Sequence, residues 1–235
     1  MVSLLLALIG IPAGLALGAL AGHFAAQPDD QDEASEVAKS AAPRGAEAGS
    51  LVIDQGAQAW MRRALLAGAT AALFATAGAR FDHAGDLAIV TTYVSVLLVC
   101  ATTDLLCYRV PNAVTYPAIV GALVLGATMS GARPADVAIG GALAGGVFLL
   151  PALFTGGIGM GMGDVKLAAF VGLALGLEHV APAMLITALG GGAVALFLLL
   201  TGLRKRGEPI PYAPFIAVGG LAALLWQGTA FVFAG

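Results

Sequence analysis

Two acidic residues lie at the edges of apolar stretches, where an ionisable side chain is costly and usually marks function. Asp164 ends the glycine-rich run GGIGMGMGD, and Lys166 follows it by two positions. Asp104 directly follows a long apolar run, in TDLLCYRVPN. Two carboxyl groups within a few ångströms of each other share a proton, and such a pair can activate water for attack on a carbonyl. The pair titrates as a unit, so neither acid has a fixed role.

Each acid also has a purely structural interpretation. Asp164 can be an exposed residue of a flexible glycine-rich loop, and Asp104 can pair with Arg109 at the membrane boundary. Pro111 predicts a turn after Asp104, because the residue before a proline disfavours helix. Asn112 is a candidate N-cap for the helix that follows. No other acid lies both in an apolar segment and at the inner membrane face, so Asp104 and Asp164 form the one candidate dyad.

The composition excludes a soluble domain. Of the 235 residues, 59% are hydrophobic and 11% are charged, and the mean hydropathy is +0.93. No basic stripe indicates nucleic acid as a partner. The two cysteines, Cys100 and Cys107, have neither zinc-knuckle nor CxxC spacing and are interpreted as buried small side chains.

The hydropathy pattern predicts an all-α, polytopic membrane protein, because a chain in lipid must satisfy its own backbone hydrogen bonds. Strands of a barrel would alternate over about ten residues, and no such pattern is present. We expect about eight transmembrane helices, near residues 1–22, 64–79, 86–103, 113–130, 136–154, 166–178, 182–203 and 213–233.

The chain is predicted to form one membrane domain over residues 1–235, with a polar cytoplasmic loop at 23–61 and a core at 62–235. Residues 27–50 are rich in acids, alanine and proline, a composition that is typical of disorder; a short helix is expected near 53–61. The first span lacks a basic n-region and is interpreted as retained. Its glycines recur every fourth residue, a pattern that favours close helix packing.

Positive charge predicts the orientation. With residues 23–61 in the cytoplasm, only Arg80 and Arg133 fall outside. The basic residues that fall inside are Lys39, Arg44, Arg62, Arg63, Arg109, Lys166, Arg204, Lys205 and Arg206. Both termini are then external. Asp104, Asp164 and the turn RKRGEPIPYAP all reach the cytoplasmic face.

Three segments together resemble a known family. GMGD, which ends at Asp164, is a GxGD motif; DLLCYRVPN resembles D-x-x-x-x-R-x-I-P-N; and IPYAPFIAVGG resembles IPFGPFLAxGG. These motifs occur in the same order and at similar spacing in the type IV prepilin peptidases, which are intramembrane aspartic proteases. The resemblance covers roughly residues 62–235.

The resemblance implies an aspartic endopeptidase that removes the leader from type IV prepilins or pseudopilins, just after a glycine, at the cytoplasmic boundary of a bacterial or archaeal plasma membrane. Its partners would be the N-terminal segment of the prepilin and membrane lipid. The catalytic residues carry over to Asp104 and Asp164. The supporting positions are Gly161, Gly163, Lys166, Arg109, Pro111, Asn112, Pro211 and Pro214. Lys166 either biases the protonation of the dyad or contacts lipid phosphate. The prolines either shape the site or simply begin the last span rigidly.

The chain departs from the family in its polar loop. Many members also methylate the new N-terminus and carry paired CxxC motifs between the first two spans. Residues 23–61 contain no cysteine, so we expect no zinc or other cofactor and no methyltransferase activity. Three alternatives remain: a small transporter with the two aspartates as a proton relay, a bifunctional peptidase and N-methyltransferase, and a degenerate structural subunit.

Overall fold

The computed structural model describes residues 2–26, 54–128, 133–154, 160–203, 210–227 and 229. All regular structure within these ranges is helical, in seven helices. They are α1 (Val2–Ala26), α2 (Asp54–Arg80), α3 (Ala84–Cys107), α4 (Asn112–Thr128), α5 (Pro134–Phe154), α6 (Met162–Leu200) and α7 (Ala213–Gln227). The expected loop at 27–50 lies outside the described residues.

Four helices, α1, α3, α5 and α6, are long and apolar enough to cross a membrane, and α4 and α7 are shorter apolar helices. Large apolar side chains such as Leu4, Leu153 and Leu200 are more than two-thirds exposed, as expected for surfaces that face lipid. The all-α membrane fold is therefore confirmed, whereas the expected count of eight spans is not. The short helix expected near 53–61 is continuous with the helix over the second expected span, because α2 begins at Asp54.

Helix α6 is two helices joined at a sharp bend. Gly176 has φ 68° and ψ 178°, a backbone conformation that is essentially restricted to glycine. We call residues 162–175 the first arm and residues 177–200 the second arm. A straight helix of this length would extend to about 58 Å, nearly twice the hydrocarbon thickness of a bilayer.

The contacts of α7 show that the two arms run in opposite directions. Gly220 of α7 packs against Val171 in the first arm, and Gly219 packs against Ala183 and Thr187 in the second arm. Just before α7, Tyr212 instead meets Gly191 of the second arm and lies close enough to Asp164 of the first arm for the charge of that carboxyl group to act on it. The bend therefore brings α6 back towards the end of the bundle from which it started.

Close approach of glycines holds α5 against the first arm. A Cβ atom on Gly172 would clash with the carbonyl oxygen of Gly140, and one on Gly140 would come within 2.6 Å of the Gly176 backbone. In the same way, Gly10 and Gly14 of α1 lie against Ala71 and Ala67 of α2. The glycine stripe of the first span is thus a packing surface over these two positions, whereas a Cβ on Gly22 would meet open space.

The first arm lies in the centre of the core. Its Leu167, Phe170 and Val171 are almost completely buried. Phe170 meets Tyr93 of α3 edge to face, with ring centroids 5.2 Å apart. The core also contains Val90 and Val94 of α3 and a second group from α7, Ile216 and Leu224. This central helix begins immediately before Asp164, so the core fixes the position of that residue.

Candidate active site

Asp104 lies in the last turn of α3 and is 5% exposed. The helix ends at Cys107, and the next residue, Tyr108, adopts a left-handed conformation (φ 55°) and donates its N–H to the Asp104 carbonyl oxygen at 2.8 Å. The Asp104 side chain is directed at α7, where its Oδ2 accepts the Ala213 N–H at 3.0 Å. The Tyr212 N–H also interacts with this carboxyl group.

These N–H groups offset an unfavourable position. A negative charge at the C-terminal end of its own helix is destabilised by the helix dipole. The N-terminus of α7 presents the opposite end of a dipole to Asp104, together with an N–H that has no partner inside its own helix. The carboxyl group is thus held between the end of one helix and the beginning of another.

Asp164 occupies the first turn of α6 and is 7% exposed. Gly161 is the N-cap, and the Asp164 Oδ2 accepts the Gly161 N–H at 3.3 Å. The other carboxyl oxygen, Oδ1, is buried and has no hydrogen-bond partner among the described residues. One oxygen of Asp164 therefore organises the helix start, and the second remains available to a ligand.

The segments that carry the two acids are in direct contact. A Cβ on Gly163 would lie 2.8 Å from the Val110 Cβ, so only glycine permits this approach. Lys166 donates from Nζ to the Asn112 Oδ1 at 3.0 Å and lies 4.6 Å from the centre of the Tyr116 ring. The predicted cap role of Asn112 is wrong: the Pro111 carbonyl accepts the N–H groups of Val114 and Thr115, and Asn112 is already helical.

The prolines of IPYAP shape the start of α7. The Tyr212 carbonyl oxygen accepts the N–H groups of Phe215 and Ile216 at 3.0 and 3.3 Å. Pro214 has no N–H to satisfy, and the Ala213 N–H is left for Asp104. Pro211 precedes this turn. Pro209 lies outside the described residues.

Electrostatic interactions connect Asp104, Asp164 and Tyr212, which lie on three different segments. The Asp104 carboxyl group is close enough for its charge to act on Asp164. Burial, and then the negative charge of Asp164, raise the pKa of Tyr212 above its usual range. The phenol of Tyr212 is therefore neutral at physiological pH. Arg109 is half-buried in the turn between α3 and α4.

Sequence reasoning found both acids and the segments around them but missed Tyr212, Ala213 and Val110 as their neighbours. The backbone N–H of Ala213 carries no side-chain signal at all. Tyr212 lies within the segment IPYAP, in which the prolines were the predicted functional feature. Within the described ranges, no group of three His, Cys, Asp or Glu side chains is placed to hold a metal ion.

Fold and site together define a helical membrane protein with two buried carboxyl groups at the ends of two packed helices. The model of the type IV leader peptidase family matches residues 91–196, a range that includes both Asp104 and Asp164. The chain belongs to the type IV prepilin leader peptidase family.

Relatives named prepilin leader peptidase/N-methyltransferase are similar to most of the chain. The Bacillus subtilis protein is 34% identical over 172 residues, which is 70% of this chain and 66% of that protein. The Burkholderia pseudomallei protein is 36% identical over 170 residues, which is 69% of this chain and 54% of that protein. The chain thus spans between half and two-thirds of the length of these relatives. No solved structure matches it significantly.

Proposed function

We propose that this chain is an aspartic endopeptidase that removes the leader from type IV prepilins or pseudopilins. The observation that supports the proposal is that Asp104 and Asp164 are both buried and close enough for the charge of Asp104 to act on Asp164. The names of the relatives support the substrate class.

In the proposed reaction, one carboxylate accepts a proton from a water molecule, and the hydroxide attacks the scissile carbonyl carbon. The protonated partner donates a hydrogen bond to the carbonyl oxygen, which stabilises the tetrahedral intermediate. That intermediate collapses as its C–N bond breaks, and the amine leaves with a proton from the dyad. The N–H of Ala213 and the N–H of Gly161 orient the acids; neither acid is assigned a fixed role.

The orientation of the site at the cytoplasmic face of a bacterial or archaeal plasma membrane is part of the proposal. Asp104 lies in the last turn of α3, Asp164 in the first turn of α6 and Ala213 at the start of α7. Because Asp104 interacts with both of the other residues, all three share one end of the helical bundle. Arg80 is at the opposite end, where its guanidinium donates to the Leu225 and Trp226 carbonyl oxygens. This polarity agrees with the charge pattern and with eight spans in which the two arms of α6 cross separately.

The bifunctional alternative also has an observation in its favour, because the names of the relatives include N-methyltransferase. Against it stands the absence of cysteine from residues 23–61. The peptidase and methyltransferase reactions leave different masses on the same product, so one experiment separates them.

Co-expression with a prepilin in a host without its own leader peptidase provides that experiment. We expect a mass spectrum of the pilin that shows loss of the leader, with an unmethylated N-terminus. Replacement of the glycine that precedes the cut is the matched substrate control and should prevent processing. An uncut prepilin beside a well-expressed wild-type chain would contradict the proposed function. A methylated product would establish the bifunctional alternative.

A further inference from the structure

Three consecutive glycines in the second arm of α6 have different surroundings. A Cβ on Gly190 would meet the Phe215 ring at 3.8 Å, an ordinary contact, and one on Gly192 would meet nothing within 4 Å. A Cβ on Gly191 would lie 2.5 Å from both the Cζ and the hydroxyl oxygen of Tyr212. Of the three, only Gly191 therefore has a neighbouring side chain that leaves no room for a Cβ atom.

That neighbour is confined on other sides as well. The Tyr212 ring lies 5.7 Å, centroid to centroid, from Phe148 of α5 and the same distance from Phe215 of α7. The residue stands between Pro211 and Ala213-Pro214, where fixed proline φ angles stiffen the backbone. A ring that is pushed from the Gly191 side has little room to rotate away without moving its backbone.

The backbone of Tyr212 is what holds Asp104. Its carbonyl oxygen caps α7, which fixes the direction of the Ala213 N–H, and that N–H donates to the Asp104 Oδ2. A shift of Tyr212 therefore moves the hydrogen-bond donor of one of the two acids.

We infer that Gly191 is a positioning residue for Asp104 and acts through Tyr212; the inference rests on the proposed peptidase function. Because position 191 has no side chain, the Tyr212 ring can pack directly against the α6 backbone there. This packing fixes the position of the Tyr212 backbone and therefore of the first residues of α7. Neither Gly191 nor Tyr212 is needed as a proton donor or acceptor in this role. A displacement of about 1 Å at a catalytic group can cost roughly a hundredfold in rate.

The test compares Gly191→Ala with Gly190→Ala and Gly192→Ala in proteoliposomes that contain a prepilin substrate. All three variants exchange a helical glycine for the better helix former, so helix propensity favours each of them equally. We expect Gly191→Ala to lower kcat about 10- to 100-fold at nearly unchanged KM, while the overpacking lowers its melting temperature only modestly relative to the two controls. The controls should stay within about twofold of wild type.

A double-mutant cycle with Tyr212→Ala tests whether the effect of Gly191→Ala on kcat depends on the Tyr212 ring. Tyr212→Ala alone should lower kcat, and adding Gly191→Ala to it should cost no more than about twofold, because the clashing ring is gone. Full activity in Gly191→Ala would overturn the inference. So would the same loss of kcat from Gly191→Ala in both backgrounds, since the effect would then bypass Tyr212. An inactive wild-type chain would instead remove the proposed function, and this inference with it.

Discussion

At the scale of residues, Asp104 and Asp164 are held by different devices. Asp164 lies in the first turn of its own helix, where the dipole favours a carboxylate and the Gly161 N–H binds one oxygen. Asp104 lies in a last turn, where the dipole opposes its charge, and a second helix supplies the compensating N–H. The site therefore depends on how accurately α7 meets α3.

The two glycines of GMGD predict a clear contrast. Gly163→Ala places a Cβ at 2.8 Å from the Val110 Cβ, a branched side chain that cannot swing away, and should lower the rate of leader removal about 10- to 100-fold. Gly161→Ala should remain within about twofold of wild type, because the nearest atoms to its Cβ are 3.8 Å away and its φ of −78° suits any residue. Initial rates with a prepilin substrate measure both. Equal losses in the two variants would show that the glycines act by flexibility rather than by close approach.

At the scale of elements, the bend of α6 determines which helices reach the site. Because the second arm returns towards the site, Gly191 reaches Tyr212 while the first arm carries Asp164. The sequence predicted two separate spans here, near 166–178 and 182–203, from an apolar run too long for one crossing. Glu178 and His179 interrupt the apolar run between these spans, but the hinge itself at Gly176 carries no signal beyond one glycine among many.

Gly176→Ala should destabilise the fold. Its backbone lies in a region that costs a residue with a side chain roughly 1–3 kcal/mol, and it is in contact with Gly140. We expect a lower midpoint of thermal denaturation in detergent than for the wild-type chain. Gly146→Ala is the matched control in α5, where a Cβ meets nothing within 4 Å, and should not lower the midpoint. A Gly176→Ala protein as stable as wild type would mean that the bend does not require glycine.

At the scale of the whole molecule, the bundle has two distinct ends. The end that carries Asp104, Asp164 and Ala213 contains the three motif segments, and the other end is held by Arg80 at the C-terminus of α7. Sequence reasoning could predict this polarity because charge and hydropathy are local properties of the chain. It could not predict that Tyr212 fits against Gly191 or that the Asn112 side chain binds Lys166, because those contacts depend on three-dimensional packing.

The orientation of these ends predicts a labelling pattern. In a chain with Cys100→Ala and Cys107→Ser, a Tyr108→Cys side chain should react with a membrane-impermeant maleimide only after the membrane is permeabilised. A His83→Cys side chain at the opposite end should react in intact cells. Both positions are exposed, so access is decided by the membrane rather than by packing. Labelling of both in intact cells, or the reverse pattern, would contradict the cytoplasmic placement of the site.

Asn variants are the sharpest test of whether Asp104 and Asp164 act as one catalytic unit. Asn can still accept the N–H of Ala213 at position 104 and the N–H of Gly161 at position 164, so each variant keeps its helix contacts and loses only the ionisable group. The measurement is kcat for leader removal by wild type, Asp104→Asn, Asp164→Asn and the double variant. We expect each single variant to lose at least about a thousandfold in kcat and the double variant to be no worse than either. Substantial cleavage by either single variant would show that the two carboxyl groups do not work together.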